Sequence, residues 1–141
     1  MKKVLFFTAL MSFGVATMFT SCSKDESGPS IEGTWEQVTT STNGGTGYTH
    51  TRTVTTTLTL KAGGMGDMVV QTIRTSNPTN SSDGSDMDTY EITEWYTMPE
   101  NLIVISMKDK SDIYNNIETD TYEYSLTNKN LALDGRVFVR K

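Results

Sequence analysis

The chain holds one cysteine, one histidine and three prolines in 141 residues. A single thiol excludes an internal disulfide framework. A single histidine, His50, excludes a multi-histidine metal centre, and its threonine-rich setting reads as an exposed loop rather than as the base of a triad. No Gly-x-Ser-x-Gly elbow occurs, and "GGTG" and "GGMG" lack the strand-to-helix setting of a phosphate-binding loop. Basic clusters are missing as well. The formal charge of −5 repels the phosphates of nucleic acid and the heads of anionic lipids alike. With no converging acid, base and nucleophile, the expectation is a protein without enzymatic activity and without a cofactor.

What is present begins at the N-terminus. Lys2 and Lys3 precede a mostly apolar, uncharged run over residues 4–19, shorter than the roughly 20 residues a helix needs to span a bilayer. Length and flanks fit a secretory signal peptide over residues 1–21. Thr20 and Ser21 then lead into Cys22, the arrangement a lipoprotein signal peptidase cuts after diacylglycerol has been added to the thiol. Cys22 is thus the expected first residue of the mature chain, with an ordinary secretory signal or an uncleaved anchor as the alternatives. Loss of Lys2 and Lys3 with the leader moves the formal charge from −5 to −7. The expected tie to the membrane is the lipid on Cys22.

Residues 22–30, with Gly28 and Pro29 near their end, read as a flexible tether that reaches about 30 Å when extended. From residue 31 onward no apolar stripe of helical period stands out, whereas Thr, Val, Ile and Tyr abound, as suits a pleated surface. Eight strands are expected, over 34–41, 51–61, 68–74, 89–97, 102–107, 118–126, 131–133 and 136–140. "TVTTTLTL" places Val54, Thr56, Leu58 and Leu60 on one face, and "TYEYSL" does the same for Tyr122, Tyr124 and Leu126. Asp134-Gly135 is a two-residue hairpin of the primed type. The links are too short for crossover helices, so pairing is antiparallel.

"IEGTWE" opening this domain, "LTLKAGGMG" and the closing run "YEYSLTNKNLALDGRVFVRK" resemble the lipocalin-like domains of Bacteroidetes-type surface lipoproteins. Ser23, Lys24, Asp25 and Glu26 likewise resemble the short acidic tag that sends such lipoproteins to the outer face of the outer membrane. The resemblance covers residues 31–141. It implies an eight-stranded antiparallel up-and-down lipocalin-like β-barrel, with a two-sheet antiparallel sandwich as the alternative architecture. It further implies that Gly33 and Trp35 form the barrel floor beneath an arginine from the last strand, Arg140 or else Arg136. Localisation follows as outer membrane, lipid-anchored and facing the cell exterior.

In a meander the first, third and fifth links share one end. Residues 42–50, 75–88 and 108–117 read as long loops, so that end is the expected mouth, bearing Tyr48, His50, Asn77, Asp83, Asp86 and Tyr114. The tether enters at the other end. Asp83, Asp86 and Asp88 could gather around calcium but lack the spacing of an EF-hand, and a solvated acidic loop is the plainer reading. Tyr90, Tyr96, Tyr122, Tyr124 and Gln71 are expected to face inward and line a ligand site, with Glu94 as a further inward candidate unless a bulge turns it out. Eight strands enclose a space that side chains can fill or a small ligand can occupy, and a filled or small interior is expected. The partner is therefore an unidentified small, partly apolar molecule or, alternatively, a surface protein or glycan met by the loops, with the protein itself a monomer.

Overall fold

In a computed structural model the protein is described over residues 28–141. Cys22, the Ser23 to Glu26 stretch and the signal segment lie outside the described residues. Eight antiparallel strands close into a barrel in chain order: β1 Gly33–Gly45, β2 Tyr48–Lys61, β3 Met65–Asn77, β4 Gly84–Met98, β5 Leu102–Asp109, β6 Ile117–Leu126, β7 Asn130–Leu133 and β8 Arg136–Arg140. One turn of 3₁₀ helix, Pro99–Asn101, joins β4 to β5. The ring is closed, which removes the sandwich alternative.

The core lies at the end where β1 begins. Trp35, Leu58, Leu60, Ile92, Ile103, Ile105, Leu131 and Phe138 pack together there, and Trp35 is 0% exposed. Alternation explains the set, because every second residue of each strand points inward. On β8 the inward residues are Phe138 and Arg140, and Val137 and Val139 face solvent. Gly66 faces this floor, and a Cβ there would lie 2.0 Å from the Thr59 carbonyl oxygen. Only glycine lets β2 and β3 approach so closely.

The seam between β1 and β8 is short. Trp35 pairs with Arg140 and Glu36 with Val139, flanked by the Lys141 amide donating to the Thr34 carbonyl at 3.0 Å and a Lys141–Glu36 ion pair of 2.5 Å. At the hairpin between β7 and β8, Asp134 and Gly135 both have positive φ, 45° and 78°, as the primed turn requires.

Of the three expected long loops, 42–50 proves to be mostly strand and 75–88 shrinks to a short link, whereas 108–117 remains a link over residues 110–116. β1 and β2 continue to a two-residue link at 46–47, and β3 and β4 leave only residues 78–83 between them. Tyr48 and His50 therefore lie on β2 and Asn77 on β3, whereas Tyr114 stays in the 110–116 link. The polar, glycine-containing stretch "TNGGTGYTH" suggested a loop, but antiparallel pairing runs through it from Asn43↔His50 to Gly45↔Tyr48. Threonine hydroxyls bond across the outer face, Thr40 to Thr53 and Thr42 to Thr51, each at 3.3 Å, and such cross-strand pairs favour pairing without a core. β1–β4 accordingly rise beyond β5–β8 as a four-stranded sheet, at the end opposite to where residues 30–31 enter.

Candidate functional site

The floor motif assembles as a unit. The Arg140 guanidinium carbon lies 4.4 Å from the centroid of the Trp35 ring, and the negative ring face attracts the cation. Arg140 also donates to the Ser30 carbonyl, and the Trp35 indole N–H donates to the Ile31 carbonyl at 2.8 Å. Gly33, at φ 141°, leaves just enough room, since a Cβ on it would meet Arg140 Nη1 at 3.0 Å. These contacts draw the incoming chain across the floor and seal it.

Above that floor the barrel is hollow. A cavity of about 480 Å³ is lined by Leu58, Met68, Val70, Ile105, Met107 and Phe138, with Gln37, Thr56 and the Tyr122 ring adding polar atoms. Asp134 and Arg136, at the β7–β8 turn, form the rim on the side where the wall is lowest. The Tyr122 hydroxyl donates to Asp120 at 3.2 Å. Burial, and then the Asp120 charge, push its pKa above the usual phenol value. The hydroxyl thus stays a neutral donor across the ordinary pH range.

Of the six residues expected to line a site, the three tyrosines Tyr90, Tyr122 and Tyr124 face inward, and Tyr122 lines the main cavity. Tyr90 borders a smaller acidic hollow with Asp109, Asp112 and Glu118, and burial with the Asp88 charge raises its pKa. Gln71, Glu94 and Tyr96 do not face the interior. Gln71 pairs with Thr55 and Met87 on the outer face, because β3 turns Met68, Val70 and Thr72 inward instead. A β-bulge between Ile92 and Glu94 reverses the alternation, so Glu94 is exposed, Tyr96 is 45% exposed and Trp95 turns in. The Trp95 indole N–H donates to the carbonyls of Lys61 and Met65, at 3.1 and 3.0 Å. Sequence reasoning missed Arg136, Asp134, Gln37 and Thr56. Gln37 and Thr56 share the faces of Trp35 and Leu58, which was the available signal.

At the far end Tyr48 and His50 meet edge to face, 5.7 Å between centroids, and Tyr114 is 78% exposed. His50 also meets a serine and an aspartate. Ser76 Oγ lies 2.6 Å from His50 Nδ1 and donates to Asp83 Oδ1 at 2.6 Å, while the Asn80 amide donates to the same Oγ at 2.9 Å. The serine has one proton and gives it to the carboxylate, so His50 Nδ1 must be the donor in its bond to Ser76. In a nucleophilic triad the histidine stands between serine and aspartate and accepts the serine proton. Here the serine is in the middle and is not activated. The Ser76 bond, foremost, holds Asp83 below the usual carboxylate range.

Asp86 pairs with Arg74 and Asp88 is exposed, so the three aspartates expected as calcium ligands do not converge. Among the described residues no group of three or more His, Cys, Asp or Glu side chains is placed to hold a metal ion. No protein-family model, curated protein or solved structure matches this chain.

Proposed function

We propose that this chain is a lipid-anchored lipoprotein of the bacterial outer surface, related to lipocalin-like lipoproteins, whose barrel binds a small, partly apolar molecule without chemical conversion. The observation that carries the reading is the hollow above the Trp35–Arg140 floor: apolar walls, few polar groups and one open end, as small-molecule sites have. Its volume suits a ligand of modest size, and the Tyr122 hydroxyl and the Asp134/Arg136 rim supply groups to orient a polar end. Lipidation of Cys22 is part of this reading: residues 30–31 meet the barrel at its floor, so an anchor on the preceding tether would hold the open end away from the membrane.

Native mass spectrometry of the protein after exposure to extracts of the producing cell and its medium tests the cavity. A reproducible bound mass, lost on Tyr122→Ala with Phe138→Ala, is expected; a clean unbound mass in every extract would end the cavity reading. Labelling with radioactive palmitate and protease treatment of intact cells test the anchor. Label absent from Cys22→Ala and cleavage of the wild type at the surface are expected.

A second reading, an interaction module for a protein or glycan, is favoured by the outer face of the protruding sheet. Val38 and Met87 sit there at 58% and 62% exposure, in one row with Thr55 and Gln71. Retained partner capture by a protein with a blocked cavity would support it.

A further inference from the structure

The inner face of the protruding sheet continues the barrel wall past the cavity, and its residues form two complete rows across β1, β2 and β3. One row is Ser41, Arg52, Arg74; the next is Asn43, His50, Ser76. All six line a single hollow of about 290 Å³. Arg52 lies four residues beyond Thr56, the last β2 residue of the main cavity, or about 13 Å along the strand. The hollow is a separate place with a different chemistry.

Its charge arrangement runs against stability. Arg52 and Arg74 are directly opposite each other, and like charges so placed on an antiparallel pair repel. Arg74 is compensated by Asp86. The Arg52 side chain makes no ion pair or hydrogen bond among the described residues, in a chain whose overall charge is negative. The nearby Asp83 is already engaged by Ser76 and Asn80. A guanidinium fork pointing into a hydroxyl-rich hollow, opposite a second guanidinium, is suited to an oxyanion that accepts from both.

We propose that the Arg52–Arg74 hollow is a second binding site, for an oxyanion group, carboxylate or sulfate, carried on a hydroxylated molecule of about the size of one sugar unit. Ser41 and Asn43 supply the neutral hydrogen-bonding partners, Arg52 supplies the unpaired charge, and Arg74, whose charge Asp86 offsets, supplies further guanidinium N–H donors. Carboxylate and sulfate share this chemistry, and the test separates them.

The experiment is an NMR titration of the protein with ¹⁵N-labelled arginine, following the Nε–H resonances against glucuronate, glucose 6-sulfate and neutral glucose, with sodium chloride holding ionic strength constant. Saturable shifts of Arg52 and Arg74 with one or both charged sugars and none with glucose are expected, and the preferred sugar identifies the anion. Arg52→Gln should weaken binding at least tenfold. Arg52→Lys should weaken it less, because charge persists and the fork is lost. Shifts that grow linearly, match those of sodium chloride, or saturate at Arg74 with undiminished affinity in Arg52→Gln would overturn the proposal. A thermal melt of Arg52→Gln, unchanged or raised as the repulsion is relieved, separates lost binding from lost folding.

Discussion

The two ends of β1 and β2 hold together by different means. At the floor Trp35, Leu58 and Leu60 are almost wholly removed from water and the hydrophobic effect holds the strands. Beyond Val54 and Thr39 the same strands carry Thr, Ser, Asn and Arg, and β1 is exposed from Val38 to Gly45. There the pairing relies on the backbone ladder and the threonine hydroxyl pairs. A strand thus needs a core along only part of its length, and the remainder can display polar side chains on a rigid frame.

The largest expected effect comes from removing what only the floor has. Trp35→Ala should cost about 3–5 kcal/mol in a denaturant titration, because a large buried ring leaves a cavity. A loss below about 1 kcal/mol would mean that the floor is not the anchor of the fold. Arg140→Met should cost less, about 1–2 kcal/mol for the cation–π contact and the bond to the Ser30 carbonyl, with faster amide exchange at Thr34 to Glu36. In the protruding sheet, Thr42→Ala with Thr51→Ala should cost about 0.2–1 kcal/mol, again read by denaturant titration. Amide exchange there should outpace the floor, as it reports local opening rather than global unfolding. Equal protection at both ends would erase the distinction.

The smallest effect concerns Asp67, on the outer face between Lys61 and Lys110, at 2.7 and 3.0 Å. Hydrogen bonds from Lys61 and then Lys110 lower its pKa from 3.8. A lowered folded-state pKa gives stability that is full above the unfolded value and fades as the pH falls through the folded one. Asp67→Asn should therefore cost under about 1 kcal/mol near neutrality, and its melting curve should converge on that of the wild type in strong acid. A gap that persists there would assign the effect to something other than ionisation.

Much of the barrel was legible because alternation and turns agree. Val54 to Leu60 alternate cleanly, Asp134-Gly135 sets the last hairpin, and all eight strands occur where those signals placed them. The ends of the strands were not legible. Asn43 to His50 carry glycines and polar groups that read as loop, and only the cross-strand register from Asn43 to His50 shows that they pair. The candidate site suffered from a parity that one residue can reverse. The bulge at Thr93 turned Glu94 and Tyr96 outward and brought in Trp95. In "VVQTI" adjacent valines made either face plausible, and Met68 with Val70 claimed the inside. The Arg52–Arg74 pair escaped notice because nothing in either strand reveals which residues will stand opposite.

The seam between β1 and β8 has a consequence for timing. It joins Trp35 to Arg140, and the same arginine reaches back 110 residues to the Ser30 carbonyl. No earlier stretch can substitute for β8, so a chain emerging N-terminus first cannot close its barrel until residue 140 is available. Contacts so distant in sequence also slow closure. Until then the chain is open along this edge, so the closed ring is a property of the whole chain rather than of any part made earlier.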